Sequence, residues 1–163
     1  MAVSPEQKIL DQIGAIRKAR AATTIEQKWL REHLDDPQLR AKLADISIVG
    51  LHLLSALQAA PLTGIDLAEQ LGVTRGGVTR AAKRLITEEL VTTFKRPTDH
   101  KKIFYQLTPA GAALAHQHDQ MHHARNRQLI DQLDAEFTAD ELAVINRFLT
   151  TVERYEQQRP HQQ

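Results

Sequence analysis

The sequence predicts a mainly α-helical fold with one small β-hairpin, and three observations support this prediction. Apolar residues recur at helical spacing along most of the 163 residues. Ser and Thr residues stand before several of these segments, where they can act as helix N-caps. One short region, 91–107, is instead rich in β-branched and aromatic residues around a polar loop. With 42% hydrophobic and 25% charged residues, the chain is able to form a sizeable core and is not disordered as a whole.

The predicted helices lie on both sides of this hairpin, and Ser, Thr and Pro residues mark their ends. Ser4-Pro5 begins the first helical segment, and Asp35-Asp36-Pro37 ends it. Thr63 and Thr74 cap two shorter helices, and a capping box at Thr138 starts the last one. In chain order, helices are predicted over 5–34 (one long helix or two), 38–59, 63–72, 74–88, 108–134 and 138–156, with strands at 91–94 and 103–107 and a polar, frayed tail from Gln157.

Positive charge is concentrated in the middle of the chain. The segment 75–102 holds eight basic and three acidic residues, a net charge of +5, and the remainder carries −4. A basic segment on an acidic body is typical of a nucleic-acid-binding protein, because each cation placed near a phosphate releases condensed counterions. A solvated basic surface is the alternative, so the interpretation depends on the structure that the segment forms.

The segment 63–88 has the layout of a helix-turn-helix. A short helix ends at Gly72, and the next helix begins at Thr74 with basic residues on its outer side. The following hairpin is then a wing that reaches an adjacent minor groove. The alternative is an ordinary helical hairpin with a basic side. The predicted DNA-binding residues are Thr74, Arg75, Gly76, Gly77, Thr79, Arg80 and Lys83 on the helix, and Lys95, Arg96, His100, Lys101 and Lys102 on the wing.

These segments resemble the MarR family of winged-helix repressors. The resemblance lies in Leu67-Ala68-Glu69-Gln70-Leu71-Gly72-Val73-Thr74, in Asp99-His100-Lys101 and in Phe104-Tyr105-Gln106-Leu107-Thr108. It implies a homodimer that binds a pseudo-palindromic operator in double-stranded DNA. Where the family usually has Arg in the wing, this chain has Lys101, which keeps the charge but loses the planar fork.

The resemblance also implies three segments with different roles. Residues 1–60 form helices for dimerisation and the start of the winged unit, 61–108 form the winged helix-turn-helix, and 109–163 form the C-terminal helices. Apolar stripes on the first and last helices are expected to form the dimer interface, although a stripe of this kind also suits a monomer core. The predicted interface residues are Ile9, Ile13, Ile16, Leu142, Ile145, Leu149 and Val152.

Histidines cluster on the helix that follows the wing. Four of them lie between positions 116 and 123, and His118 and His122 are four residues apart, so they share a helix face and can chelate one divalent metal. His52 lies in the most apolar helix, in the sequence Leu51-His52-Leu53-Leu54. A buried imidazole needs a partner, which is either a metal or an ordinary hydrogen-bond acceptor in the core.

A further resemblance, to the zinc-responsive uptake repressors of the MarR family, implies a regulatory zinc site. By this resemblance His52, His118 and His122 are three ligands, and the fourth is Glu32, with His33 and Glu26 as rivals. Three imidazoles and a carboxylate suit tetrahedral Zn²⁺, although Ni²⁺, Co²⁺ and Mn²⁺ remain alternatives. A second site of that group uses a Cys and acids and is expected to be absent here, or rebuilt from His116, Asp119 or His123.

Composition and motifs also narrow the possible location and the possible classes of function. The chain has no Cys, no apolar run long enough for a membrane helix and no secretory signal, which suits a cytoplasmic protein. It has no His-Glu-x-x-His motif and no Gly-rich phosphate loop, so a zinc hydrolase is disfavoured and no enzyme activity is expected. The expected function is zinc-dependent repression of zinc-uptake genes. Alternatives are a MarR repressor released by a small anion or phenol, and a non-specific architectural DNA binder.

Overall fold

The computed structural model describes residues 4–20, 24–97 and 99–158, and it confirms the mainly α fold with a small sheet. The frayed tail predicted from Gln157 lies mostly outside these residues. The elements are α1 (Pro5–Arg20), α2 (Thr24–His33), α3 (Pro37–Lys42), a 3-10 turn (Leu43–Asp45), α4 (Ile48–Ala56), β1 (Leu62–Thr63), α5 (Gly64–Leu71), α6 (Arg75–Thr87), β2 (Val91–Arg96), β3 (Asp99–Leu107), α7 (Pro109–Glu136) and α8 (Ala139–Gln157).

The single helix predicted over 38–59 is wrong, because two helices, α3 and α4, occupy this range. Asp36 caps α3 by accepting a hydrogen bond from the amide of Gln38 at 2.7 Å. After the 3-10 turn, Ile46 is extended and almost fully buried. The Ser47 hydroxyl then accepts from the amide of Gly50 at 3.1 Å and starts α4. The helix is interrupted here because Ile46 adopts an extended conformation with its side chain buried, and Ser47 then caps a new helix.

The sheet has three antiparallel strands in the order β1-β3-β2, so the predicted hairpin gains a short third strand. In the register, Leu62 pairs with Tyr105 in β3, and Val91 in β2 pairs with Leu107. The β1 strand is two residues long, and it immediately precedes α5. The wing is thereby joined through backbone pairing to the start of the helix-turn-helix.

A continuous apolar core fills the first of two compact units, Met1–Met121. Helices α2 to α6, the start of α7 and the root of the wing all contribute buried side chains to it. The fully buried leucines are Leu30, Leu43, Leu51, Leu53, Leu54, Leu67, Leu85, Leu90 and Leu114. At about 1.5–3 kcal/mol per buried leucine side chain, these residues are a main source of the stability of this unit.

The start of α7 is tightly bound to the turn that precedes β2. The Thr108 amide donates to the Leu90 carbonyl at 3.0 Å, and the Thr108 hydroxyl donates to the Glu89 carbonyl at 2.7 Å. Glu89 has a φ of 59°, a left-handed conformation that is uncommon for a residue with a Cβ. A Cβ at Gly111 would lie 1.9 Å from the Leu90 carbonyl oxygen, so this contact requires glycine.

The second compact unit, His122–Gln163, contains the later turns of α7 and the whole of α8. Thr138 caps α8 in a capping box with Glu141, as predicted, with the Thr138 amide donating to the Glu141 carboxylate at 2.8 Å. None of the residues of α8 is buried. Large apolar side chains of this unit are therefore exposed to solvent, among them Leu129, Ile130, Val144, Phe148 and Leu149.

Candidate nucleic-acid interface and metal centre

Local hydrogen bonds define the helix-turn-helix at α5 and α6. Thr63 caps α5 in a capping box with Asp66, whose carboxylate accepts from the Thr63 hydroxyl at 2.7 Å. Gly72 ends α5 with a φ of 63°, the left-handed conformation that favours glycine. The Thr74 hydroxyl then accepts from the amide of Gly77 at 3.1 Å and starts α6. The caps predicted at Thr63 and Thr74 are confirmed.

The predicted DNA-binding residues of α6 share one surface, which we call the recognition face. Thr74, Arg75, Gly76, Thr79, Arg80 and Lys83 are exposed, and Gly77 is half-buried. The opposite side of α6 packs into the core through Val78, Ala81, Ala82 and Leu85. A helix that buries one side and exposes Arg side chains on the other is suited to the major groove, where Arg can donate two hydrogen bonds to guanine.

The wing carries the second predicted set of basic residues. Lys95, Arg96, Lys101 and Lys102 are exposed, and His100 lies in the β3 backbone with its side chain outside the described part. The Arg96 guanidinium carbon stands 4.2 Å from the centroid of the Phe104 ring. This cation–π contact holds the Arg96 side chain along the sheet.

One basic residue of α6 faces the body of the protein rather than the recognition face. The Arg84 guanidinium pairs with Asp45 at 2.5 Å and with Glu88 at 3.1 Å. Lys42 also reaches this end of α6 and donates to the Glu88 carbonyl. These contacts connect the end of the recognition helix to the segment between α3 and α4.

Three helices bring a carboxylate and two imidazoles together near the core. Glu26, in the first turn of α2, places Oε2 3.3 Å from Nε2 of His118 on α7 and 3.7 Å from Nε2 of His52 on α4. The two imidazole centroids are 5.4 Å apart. The His118 side chain is only 1% exposed, and Glu26 is 18% exposed. We call Glu26, His52, His118 and His122 the Glu-His cluster.

His122 completes the Glu-His cluster from the next turn of α7. Each of the four side chains offers one ligand atom, and these atoms all lie within 4.8 Å of one another. Three imidazole nitrogens and one carboxylate oxygen are the donor set that Zn²⁺ accepts in tetrahedral sites. The donor chemistry therefore fits a zinc ion. Within the described ranges, this is the one group of its kind.

The structure brings Glu26, and not Glu32, to the three histidines. Glu32 is exposed and follows Glu26 by six residues of α2, which places it on a different side of the helix. His33, the other rival, stacks on the Trp29 ring at 3.9 Å between centroids, and its Nδ1 contacts the Trp29 carbonyl. The sequence offered two glutamates and one histidine as candidates for the fourth ligand. No local pattern selects among them, because the selection depends on how α2 approaches α4 and α7.

A polar network lies behind His118, on the side away from Glu26. His118 Nδ1 is 2.8 Å from the Ser55 hydroxyl, which donates to Asp119 Oδ1 at 2.7 Å. The Gln58 side chain donates to the other oxygen of Asp119. The sequence suggested that a second metal site is absent or is rebuilt from His116, Asp119 or His123, and it did not single out Ser55.

The side chains predicted for a dimer interface are exposed or half-exposed to solvent in the single chain. Ile9, Ile16 and Leu149 are exposed, with Ile16 at 62% and Leu149 at 56%, and the others, Ile13, Leu142, Ile145 and Val152, are half-buried. Each lies on α1 or α8. These helices thus present apolar side chains that are not used by the core of the chain.

The helix-turn-helix, the exposed recognition face and the basic hairpin together define a winged-helix DNA-binding protein. A family model described as MarR family matches residues 45–102. The transcriptional regulator AdcR of Streptococcus pneumoniae serotype 2 is 38% identical over 101 residues, which are 62% of this chain and 68% of that protein. The chain belongs to the MarR family and is a transcription regulator rather than an enzyme.

Further relatives and solved structures agree with this assignment. The transcriptional regulator ZitR of Lactococcus lactis subsp. cremoris is 31% identical over 101 residues, covering 62% of this chain and 69% of that protein. The crystal structure of ZitR, described as a zinc-responsive MarR family member, matches at a TM-score of 0.72 and 24% identity over 93% of this chain and 99% of that one. The crystal structure of FabT of Streptococcus pneumoniae in complex with DNA matches at a TM-score of 0.71 and 24% identity. The match covers 93% of this chain and 97% of that one.

None of the helices in the described part of the chain combines the length and the apolar character that crossing a bilayer requires.

Proposed function

We propose that the protein is a homodimeric repressor whose affinity for a palindromic operator is raised by zinc bound at the Glu-His cluster. The observation that carries the proposal is the convergence of four ligand atoms within 4.8 Å from α2, α4 and α7. The similarity to ZitR of Lactococcus lactis, which is described as a zinc-responsive MarR family member, supports the choice of metal. Zinc-uptake genes are the targets that the resemblance in sequence to the zinc-responsive uptake repressors implies.

The ligand residues have distinct roles in this proposal. Glu26 supplies the carboxylate from α2, His52 an imidazole from α4, and His118 and His122 two imidazoles from α7. Bound zinc supplies positive charge that offsets the Glu26 carboxylate and links these three helices. Zinc then favours whichever arrangement of the helices brings all four ligand atoms together.

A chain of contacts offers a route from the Glu-His cluster to the recognition helix. Gln27, next to Glu26, donates through Nε2 to the Ile46 carbonyl at 2.8 Å. The neighbouring Asp45 pairs with Arg84 on α6. Holding α2 in place through zinc therefore favours one position of the segment between α3 and α4, and with it one orientation of α6. By linkage, operator DNA also raises the affinity for zinc.

Dimerisation through α1 and α8 is the remaining part of the proposal. The exposed apolar side chains on these helices, such as Ile16 and Leu149, support it. A two-fold dimer presents two recognition helices to half-sites about one DNA turn apart. Exposed apolar surface of this kind is buried when two copies associate.

The test measures affinity for the DNA upstream of the protein's own gene, once with a chelator and once with buffered free zinc. Zinc is expected to tighten binding at least tenfold, which is about 1.4 kcal/mol of coupling. His118→Ala removes this zinc effect and keeps the metal-free affinity. His116→Ala, which alters an exposed histidine of the same helix, leaves the zinc effect intact. Equal affinity with and without zinc would overturn the proposal and favour a small organic effector.

A further inference from the structure

We propose that Ser55 and Asp119 position the His118 imidazole so that Nε2 is its metal-binding nitrogen. This inference rests on the proposed function of the Glu-His cluster. Ser55 lies on α4 and Asp119 directly follows His118 on α7. Neither residue is a member of the Glu-His cluster. Their role is to hold and orient a ligand rather than to bind zinc.

The geometry defines a directed chain of hydrogen bonds. The Ser55 hydroxyl donates its single hydrogen to Asp119 Oδ1 at 2.7 Å. A carboxylate oxygen accepts hydrogen bonds, so the Ser55 hydroxyl is the donor of this pair. His118 Nδ1, 2.8 Å from the same hydroxyl oxygen, must then be the donor and carry a hydrogen.

This chain determines which nitrogen of His118 is available to a metal. In a neutral imidazole with hydrogen on Nδ1, the lone pair is on Nε2. His118 Nε2 faces Glu26 Oε2 at 3.3 Å, so two acceptors meet inside the protein. Two acceptors at this distance repel unless a cation or a proton lies between them, which makes this position suitable for a metal ion.

Gln58 anchors the network to the end of α4. Its side-chain amide donates to Asp119 Oδ2, so both carboxylate oxygens of Asp119 accept hydrogen bonds from the α4 side. Asp119 is thereby held at both carboxylate oxygens, by Ser55 at Oδ1 and by Gln58 at Oδ2. This use of both oxygens favours a positioning role over the second metal site that the sequence suggested for Asp119.

The expected effect concerns zinc affinity rather than folding. Loss of an outer partner of a metal-bound histidine typically lowers metal affinity about 10- to 100-fold. We therefore expect Ser55→Ala and Asp119→Asn to raise the zinc dissociation constant by this factor, measured by competition with a chromogenic chelator. Ser55→Thr keeps the hydroxyl and is expected to restore affinity to near that of the unaltered protein. Asp131→Asn, an exposed carboxylate on the same helix, is the matched control.

A spectroscopic measurement separates orientation from general destabilisation. In the ¹⁵N imidazole spectrum of the zinc-loaded protein, His118 is expected to coordinate through Nε2 and to carry a slowly exchanging hydrogen on Nδ1. In Ser55→Ala this hydrogen is expected to exchange faster. Coordination of His118 through Nδ1 would overturn the inference.

The outcomes distinguish this inference from the proposed function. If Ser55→Ala and Asp119→Asn bind zinc as tightly as the unaltered protein while His118→Ala does not, the positioning role is wrong and the zinc site stands. If the unaltered protein itself does not bind zinc, or if zinc leaves DNA affinity unchanged, the proposed function fails instead.

Discussion

The Glu26 carboxylate and the His118 imidazole approach to 3.3 Å although 92 positions separate them in the sequence. Their contact joins the first turn of α2 to the turn of α7 that follows the core residues Leu114 and Ala115. His52 from α4 stands beside both. A carboxylate at the beginning of α2, rather than at its end, is thus the one that can complete the Glu-His cluster.

The first prediction concerns the identity of the carboxylate ligand. Glu26→Gln is expected to raise the zinc dissociation constant at least about tenfold, because a charged ligand is replaced by a neutral amide. Glu32→Gln, which alters an exposed residue of the same helix, is expected to leave it unchanged. Chelator competition measures both values. The reverse pattern would identify Glu32 as the ligand.

The second prediction concerns coupling between zinc and DNA. Gln27→Ala removes the hydrogen bond to the Ile46 carbonyl but no ligand of the Glu-His cluster. Since one hydrogen bond contributes about 0.5–1.5 kcal/mol, the zinc-induced gain in DNA affinity is expected to shrink by about two- to tenfold. Zinc affinity without DNA stays within about twofold. Gln38→Ala on α3 is the control, and an unaltered coupling in Gln27→Ala would rule out this route.

The third prediction concerns the recognition face. Arg80→Ala is expected to weaken operator binding by about 1–3 kcal/mol if its guanidinium pairs with a guanine. Zinc content is expected to remain intact, because Arg80 is an exposed residue of α6 and is not a member of the Glu-His cluster. Fluorescence anisotropy with labelled operator measures the change. Arg147→Ala, an exposed arginine on α8, controls for the loss of one positive charge.

The fourth prediction concerns the contact between α7 and the turn before β2. Gly111→Ala places a Cβ 1.9 Å from the Leu90 carbonyl oxygen, so the backbone must move. A loss of about 1–3 kcal/mol in unfolding free energy is expected from such overpacking, measured by urea denaturation. Gly14→Ala has no atom within 4 Å of its new Cβ and is expected to raise stability by up to about 1 kcal/mol. Equal effects of the two substitutions would contradict the close approach at Gly111.

The fifth prediction concerns acid stability. Hydrogen bonds from the Thr63 hydroxyl and amide hold the pKa of Asp66 below its ordinary value, and the positive charge of Lys102 adds to this effect. A carboxyl group with a lowered folded-state pKa stabilises the protein above its ordinary pKa of 3.8, and this stability is lost as the pH falls through the folded-state pKa. Asp66→Asn is therefore expected to unfold more easily at neutral pH, with a difference that narrows below pH 3.8. Glu69→Gln on the same helix serves as the control in urea titrations at several pH values.

Local signals predicted much of the fold. The caps at Thr63, Thr74 and Thr138 each depend on residues within three positions, and the structure has all three. The break at Ser47 was missed because it lies at the edge of a dense apolar run that looks like one helix. The β1 strand was missed because two residues are too few to show a strand pattern.

The candidate site was predictable only in part. His118 and His122 share a helix face, so their proximity follows from the sequence. Glu26 was one of three candidates, because its position depends on how α2 packs against helices far away in the chain. The role of Ser55 could not be predicted from the sequence, because its hydrogen-bond partners are 63 and 64 positions away.

The close approach at Gly111 also constrains how this protein can evolve. A one-residue insertion or deletion between Gly111 and His118 would turn every later residue of α7 by about 100° around the helix axis. The anchor at Leu90 would stay in place, and His118 would point away from Glu26 and His52. Substitution can therefore change the donor atoms of the Glu-His cluster without moving α7, whereas a change of length in this segment would break up the cluster.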